Sequence, residues 1–153
     1  MKKAFLFISM LVLLLVTSQA QRFQITNYVE KTHTGSPQAG IAVGVSNGYD
    51  WEYGAFYQES SIVESLMSEK RKSDLPLVYE REFYGLYFAA PFYYLGMFQL
   101  KFNIRTGISN GENFIITPSL LTDFKPTKNI RLGAGIGTRL LKPTLQGSFS
   151  ILF

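Results

Sequence analysis

The sequence lacks cysteine, carries one histidine and one tryptophan, and holds few charged residues, 17% of the chain. Without cysteine there is no disulfide framework, no thiolate metal site, no cysteine nucleophile and no acylated lipoprotein N-terminus. A lone histidine, His33, excludes a centre that needs two imidazoles. Beyond Val16 no apolar stretch approaches the roughly 18 residues of a membrane helix. The charge of +4 is too slight for the concentrated basic face of a nucleic-acid binder, so no nucleic acid is expected as a partner. Aromatics are abundant at 15% of the chain, which argues against disorder. A length of 153 residues allows one domain.

Met1 to Ala20 reads as a cleaved export signal. Lys2 and Lys3 form a positive start, Ala4 to Val16 an apolar core, and Ser18-Gln19-Ala20 a small-residue cleavage site. Residues 21–153 are then the mature domain, with 13 basic residues against 11 acidic ones once both lysines leave.

The mature chain has period two. Leu145, Gly147, Phe149, Ile151 and Phe153 alternate with Gln146, Ser148, Ser150 and Leu152. Ile130, Leu132, Ala134, Ile136 and Leu140 oppose Arg131, Gly133, Gly135, Gly137 and Arg139, and Phe98, Leu100, Phe102 and Ile104 oppose Gln99, Lys101, Asn103 and Arg105. Successive strand side chains point to opposite faces, so each segment has an oily face and a polar one. Turn residues divide the chain into eight segments, near 22–30, 38–47, 50–59, 79–90, 96–108, 113–124, 129–140 and 143–153. Turns are expected at Asn47-Gly48, Pro91–Leu95, Ser109–Gly111, Lys125–Lys128 and Lys142-Pro143, and a bulge at Pro118. Ser60–Pro76 is a longer charged connection, read as a loop over the strand ends or a short amphipathic helix.

Consecutive amphipathic strands with short turns suggest an all-β, eight-stranded antiparallel up-and-down barrel. The apolar face is expected outside, against lipid. Segments of 10–12 residues suit the outer-membrane apolar band. Lys101, Arg105 and Arg131 lie mid-strand on the polar face, to be paired by acids such as Glu52, Glu80 or Glu82. Trp51, Tyr53, Phe92, Tyr93, Tyr94, Phe114 and Phe124 gather near strand ends, as in an interfacial girdle. The final strand, ending in Phe153, looks like the assembly signal of bacterial outer-membrane barrels, and 21–153 as a whole resembles small barrels of the OmpX and OmpA membrane-domain type. That resemblance implies a monomer in the cell outer membrane, both termini periplasmic, with outer-membrane lipids and lipopolysaccharide around it. It also implies that the assembly machinery reads the Phe153 strand. The expected role is structural, adhesive or surface-interacting, without a wide pore, enzyme activity or cofactor. Two other readings remain: a soluble periplasmic or secreted lipocalin-like carrier of an apolar ligand, and a lipid-modifying barrel enzyme.

No catalytic, cofactor-binding or metal residue stands out. His33 lies near Glu30, Thr32 and Thr34, which on paper permits a hydrolytic dyad, yet it sits on a loop and reads as an exposed residue. Gly133, Gly135 and Gly137 are expected to make room for bulky lumenal side chains such as Phe56 or Tyr87. Lys70-Arg71-Lys72 is able to meet lipopolysaccharide phosphates, but Glu69 and Asp74 flank it, so a solvated surface is expected.

Overall fold

In a computed structural model, which describes residues 21–33, 37–60 and 82–153, the alternation described above folds into strands along almost all of those residues. The strands are β1 (Arg22–Thr32), β2 (Pro37–Ser46), β3 (Glu52–Ser60), β4 (Glu82–Leu95), β5 (Phe98–Ser109), β6 (Asn113–Phe124), β7 (Ile130–Arg139) and β8 (Lys142–Leu152). Each pairs antiparallel with the next, and β1 pairs with β8 from Gln24↔Leu152 to Thr32↔Thr144, so the sheet closes into an eight-stranded barrel. Closure leaves no open sheet. The expected export signal, Glu80, the Lys70-Arg71-Lys72 run and most of the 60–76 connection lie outside the described residues.

Gln21, Phe153 and the connections after β2, β4 and β6 lie at one end of the barrel, here the near end. The turns after β5 and β7 lie at the far end. Three expectations at the turns need correction. Pro91–Leu95 is not a turn: β4 runs through to Leu95, Gly96-Met97 makes the reversal, and Pro91 instead marks a bulge where the β4–β5 register shifts between Pro91 and Tyr93. No bulge occurs at Pro118, which pairs with Ile104 in unbroken register. The β6–β7 ladder begins only at Ser119↔Gly137, so the residue without an N–H stands just where pairing to β7 stops. Lys142-Pro143 opens β8, and the turn before it is Leu140-Leu141, both at positive φ, 49° and 64°.

The inward stripes carry the polar residues and the outward stripes the apolar ones. Glu52, Lys101, Asn103, Arg105, Asp123 and Arg131 are buried, while Leu86, Leu100, Leu120, Ile136, Leu145 and Phe149 are exposed. This is the reverse of the apolar interior that a soluble carrier requires. A smaller aromatic cluster of Phe56, Phe83, Tyr87, Ile115 and Ala42, with Tyr28 against it, also fills the lumen. Room for it comes from glycines on facing strands. A Cβ at Gly44 would stand 2.5 Å from the Tyr87 hydroxyl, and one at Gly54 would stand 2.9 Å from the Tyr87 ring. Phe56 and Tyr87 are therefore lumenal as expected, but Gly133, Gly135 and Gly137 serve other neighbours: Ser148 and Asp123, Leu120 and Leu121, and Ser119.

Candidate functional site in the barrel lumen

Six charged groups of alternating sign cross the near end of the lumen. Lys101 on β5 lies 2.6 Å from Asp123 on β6 and 3.1 Å from Glu52 on β3. Glu52 also accepts from Arg131 on β7 at 2.5 Å and from the Gln24 amide on β1 at 3.1 Å. The second Arg131 nitrogen reaches Asp50 at 2.7 Å, and Asp50 takes Lys125 at 2.7 Å. Three cations thus meet three carboxylates, a neutral chain joining four strands and two near-end connections. Buried charges persist only when paired and hydrogen-bonded in this way.

The far half of the lumen is organised around Glu30 on β1. Arg105 on β5 pairs with it, Arg139 on β7 stands 3.6 Å away, and Gln146 on β8 donates at 3.4 Å. Arg105 also donates to Gln58 at 2.8 Å, and Gln38 accepts from both Gln58 and Arg139. The guanidinium of Arg139 lies 4.4 Å from the Phe83 ring centroid, and that of Arg105 lies 5.0 Å from Tyr28 and 5.8 Å from Phe56, so each cation meets an aromatic ring. Phe56 and Phe83 meet edge to face at 4.7 Å.

Between the two networks lies a cavity of about 50 Å³, edged by Tyr28, Tyr87, Asn103 and Leu121 among others. That is room for a few water molecules and little else. Charged side chains close the near end and aromatic ones occupy much of the far half, so among the described residues side chains fill the lumen around this cavity.

Of the residues singled out from sequence, Lys101, Arg105 and Arg131 are lumenal and paired, and Glu52 is the hub. Glu82 takes no part among the described ion pairs. Sequence reasoning placed Arg139 on the polar face without a partner and missed Glu30, Asp50 and Asp123 as members of these networks. Glu30 was visible as an inward position of β1, in step with Gln24 and Tyr28, but its nearness to His33 drew it into a loop reading. The structure separates the two: the Glu30 carboxylate faces Arg105 inside, while His33 is an exposed turn residue whose backbone N–H donates to Pro143 O at 3.1 Å. No group of three or more His, Cys, Asp or Glu able to hold a metal occurs among the described residues.

No family model matches this sequence, and no curated protein matches it. Among solved structures, a de novo designed transmembrane β-barrel matches with a TM-score of 0.59 at 7% identity, over 86% of this chain and 95% of that one. Neisserial surface protein A (NspA) matches with a TM-score of 0.40 at 14% identity, over 87% of this chain and 96% of that one. The fold is that of a transmembrane β-barrel.

Proposed function

We propose that this protein is an integral outer-membrane β-barrel, exported by its first 20 residues, whose work lies in structure, adhesion or surface contact and not in transport through a lumen or in catalysis. The observation that carries the reading is the polarity of the wall: paired charges inside, and outside an apolar belt interrupted on β1 by Asn27. In water that belt would be an aggregation surface far larger than a soluble monomer tolerates. In a bilayer it is the stable arrangement, since closed strands satisfy every spanning backbone group. The near end, with both termini, is periplasmic in this reading, and the far end faces the cell exterior. Fractionation tests it. The protein should stay with outer membranes through an alkaline wash and leave only in detergent; release into detergent-free buffer would remove the proposal.

A further inference from the structure

The outward stripes of the eight strands carry one side-chain amide, Asn27. It is exposed at the middle of β1, five residues from Arg22 and five from Thr32, and its amide has no partner among the described residues. Its cross-strand neighbours are the apolar Ile41 on β2 and Phe149 on β8. In a bilayer that position is at hydrocarbon depth, too far from the headgroups for so short a side chain to reach water. An amide without a hydrogen bond is costly there. The next outward row toward the far end is a recess: Ala134, Gly147, Val29 and Ala39 lie side by side on β7, β8, β1 and β2. Gly147 has no role in the barrel's own packing. A Cβ on any other strand glycine would come within 2.7 Å of a neighbouring atom, whereas one on Gly147 would meet only Val29 Cγ2, at an ordinary 3.5 Å. Glycine inside a strand costs conformational freedom and gives up side-chain contact, and where the fold does not demand it, it marks close approach of another backbone.

We propose that the outward wall of β8, β1 and β2 is a dimer interface, whose occupant is a second copy of this chain related by a two-fold axis along the membrane normal. Such an axis brings equal depths together, so Asn27 meets the Asn27 of the second copy. An amide holds two donors and an acceptor, so two facing amides satisfy each other. That self-complementarity, at a depth where neither lipid nor water supplies a partner, selects a second copy. The recess at Gly147 and Ala39 lets the two walls approach closely enough for the short asparagine side chains to meet. The dimer rests on the membrane reading above and departs from the monomer that the barrel resemblance implies.

The chain lacks cysteine, so single cysteines can be placed without background. Thr127→Cys protein, part labelled with a donor dye and part with an acceptor, is refolded into phosphatidylcholine vesicles. Energy transfer should rise with the protein-to-lipid ratio well above the level of random encounter. Asn27→Leu and Gly147→Leu, each added to Thr127→Cys, should raise the ratio at half-association by roughly tenfold. Both variants should fold with the parent's yield or better. Val29→Cys, beside the recess, should oxidise to a disulfide-linked dimer, and Leu86→Cys, 58% exposed on the opposite wall, should not. Transfer at the random level throughout, association unchanged in either variant, or equal cross-linking at Leu86 overturns the dimer. So does a Gly147→Leu chain that fails to fold, since the glycine would then serve the barrel itself. Val29→Cys that cross-links in cells only to a different protein overturns the second copy in favour of that partner. Labelling of Leu86→Cys in vesicles by a water-soluble thiol reagent overturns the membrane reading itself.

Discussion

Lys101→Met is the most informative perturbation of the lumen. The Lys101 amine is shared by Glu52 and Asp123, at 3.1 and 2.6 Å. Glu52 has a second cation in Arg131, whereas Asp123, 1% exposed, has no other cation among the described residues. Methionine keeps most of the side-chain volume, so packing loss stays small. The dominant effect is then one uncompensated buried carboxylate, and breaking a buried pair from one side costs about 3–5 kcal/mol. At about 1.4 kcal/mol per factor of ten, the folded-to-unfolded ratio should fall by two orders of magnitude or more. Asp123→Asn in the same chain removes the stranded charge and should restore a large part of the loss. Equilibrium urea unfolding in detergent micelles, run on the parent, both single variants and the double variant, measures the coupling directly. If Lys101→Met unfolds with the parent, or the two changes simply add, the lumenal chain of charges is not the device described here.

Arg105→Leu should destabilise more than Arg131→Leu by the same assay. The former leaves Glu30 with only the more distant Arg139 at 3.6 Å, while the latter leaves Glu52 with Lys101 and Asp50 with Lys125. Ile136→Arg, on the outward belt, should cost about 2–4 kcal/mol of insertion free energy, and Leu141→Arg, 97% exposed at the far turn, about 0–1 kcal/mol, read as folded yield in vesicles. Leu140→Asn with Leu141→Gly should stabilise the barrel by about 1 kcal/mol or more in urea unfolding, because both positions hold positive φ, which leucine resists and Asn-Gly adopts readily. Deleting Phe153, whose N–H donates to Phe23 O at 2.9 Å and whose ring lies 6.2 Å from that of Phe23, should lower the folded yield, and truncation before Thr144 should abolish it by removing the strand that closes on β1.

The strands were legible because a period of two is a local property: each apolar stripe read along β5, β7 or β8 is outward in the structure. The turns were less so. Proline marks the end of a ladder at Pro118 and a bulge near Pro91, and no local signal separates those outcomes, because each depends on where the neighbouring strand stops. Leu140-Leu141 carries no turn chemistry at all; the β7–β8 pairing imposes the conformation against the residues' preference. The lumenal positions of Lys101, Arg105 and Arg131 followed from parity and Glu52 was among the acids expected to pair with them, but which cation meets which acid did not follow. Arg105 reaches Glu30 across 75 residues and Arg131 reaches Glu52 across 79, distances that only barrel closure and strand stagger convert into contact.

The central claim is that one wall separates lipid from a packed polar interior, and β6 presents both sides within five residues. Ile116 and Leu120 face outward, Thr117 and Ser119 inward. Single cysteines at these four positions, in protein refolded into vesicles, can be challenged in parallel with a bilayer-dissolved and a water-soluble thiol reagent. The account predicts that Ile116→Cys and Leu120→Cys react with the first reagent alone, and that Thr117→Cys and Ser119→Cys resist both. Rapid reaction of Thr117→Cys and Ser119→Cys with the water-soluble reagent would show an open lumen, and reaction of Ile116→Cys and Leu120→Cys with it would show a wall that faces water; either result contradicts the account.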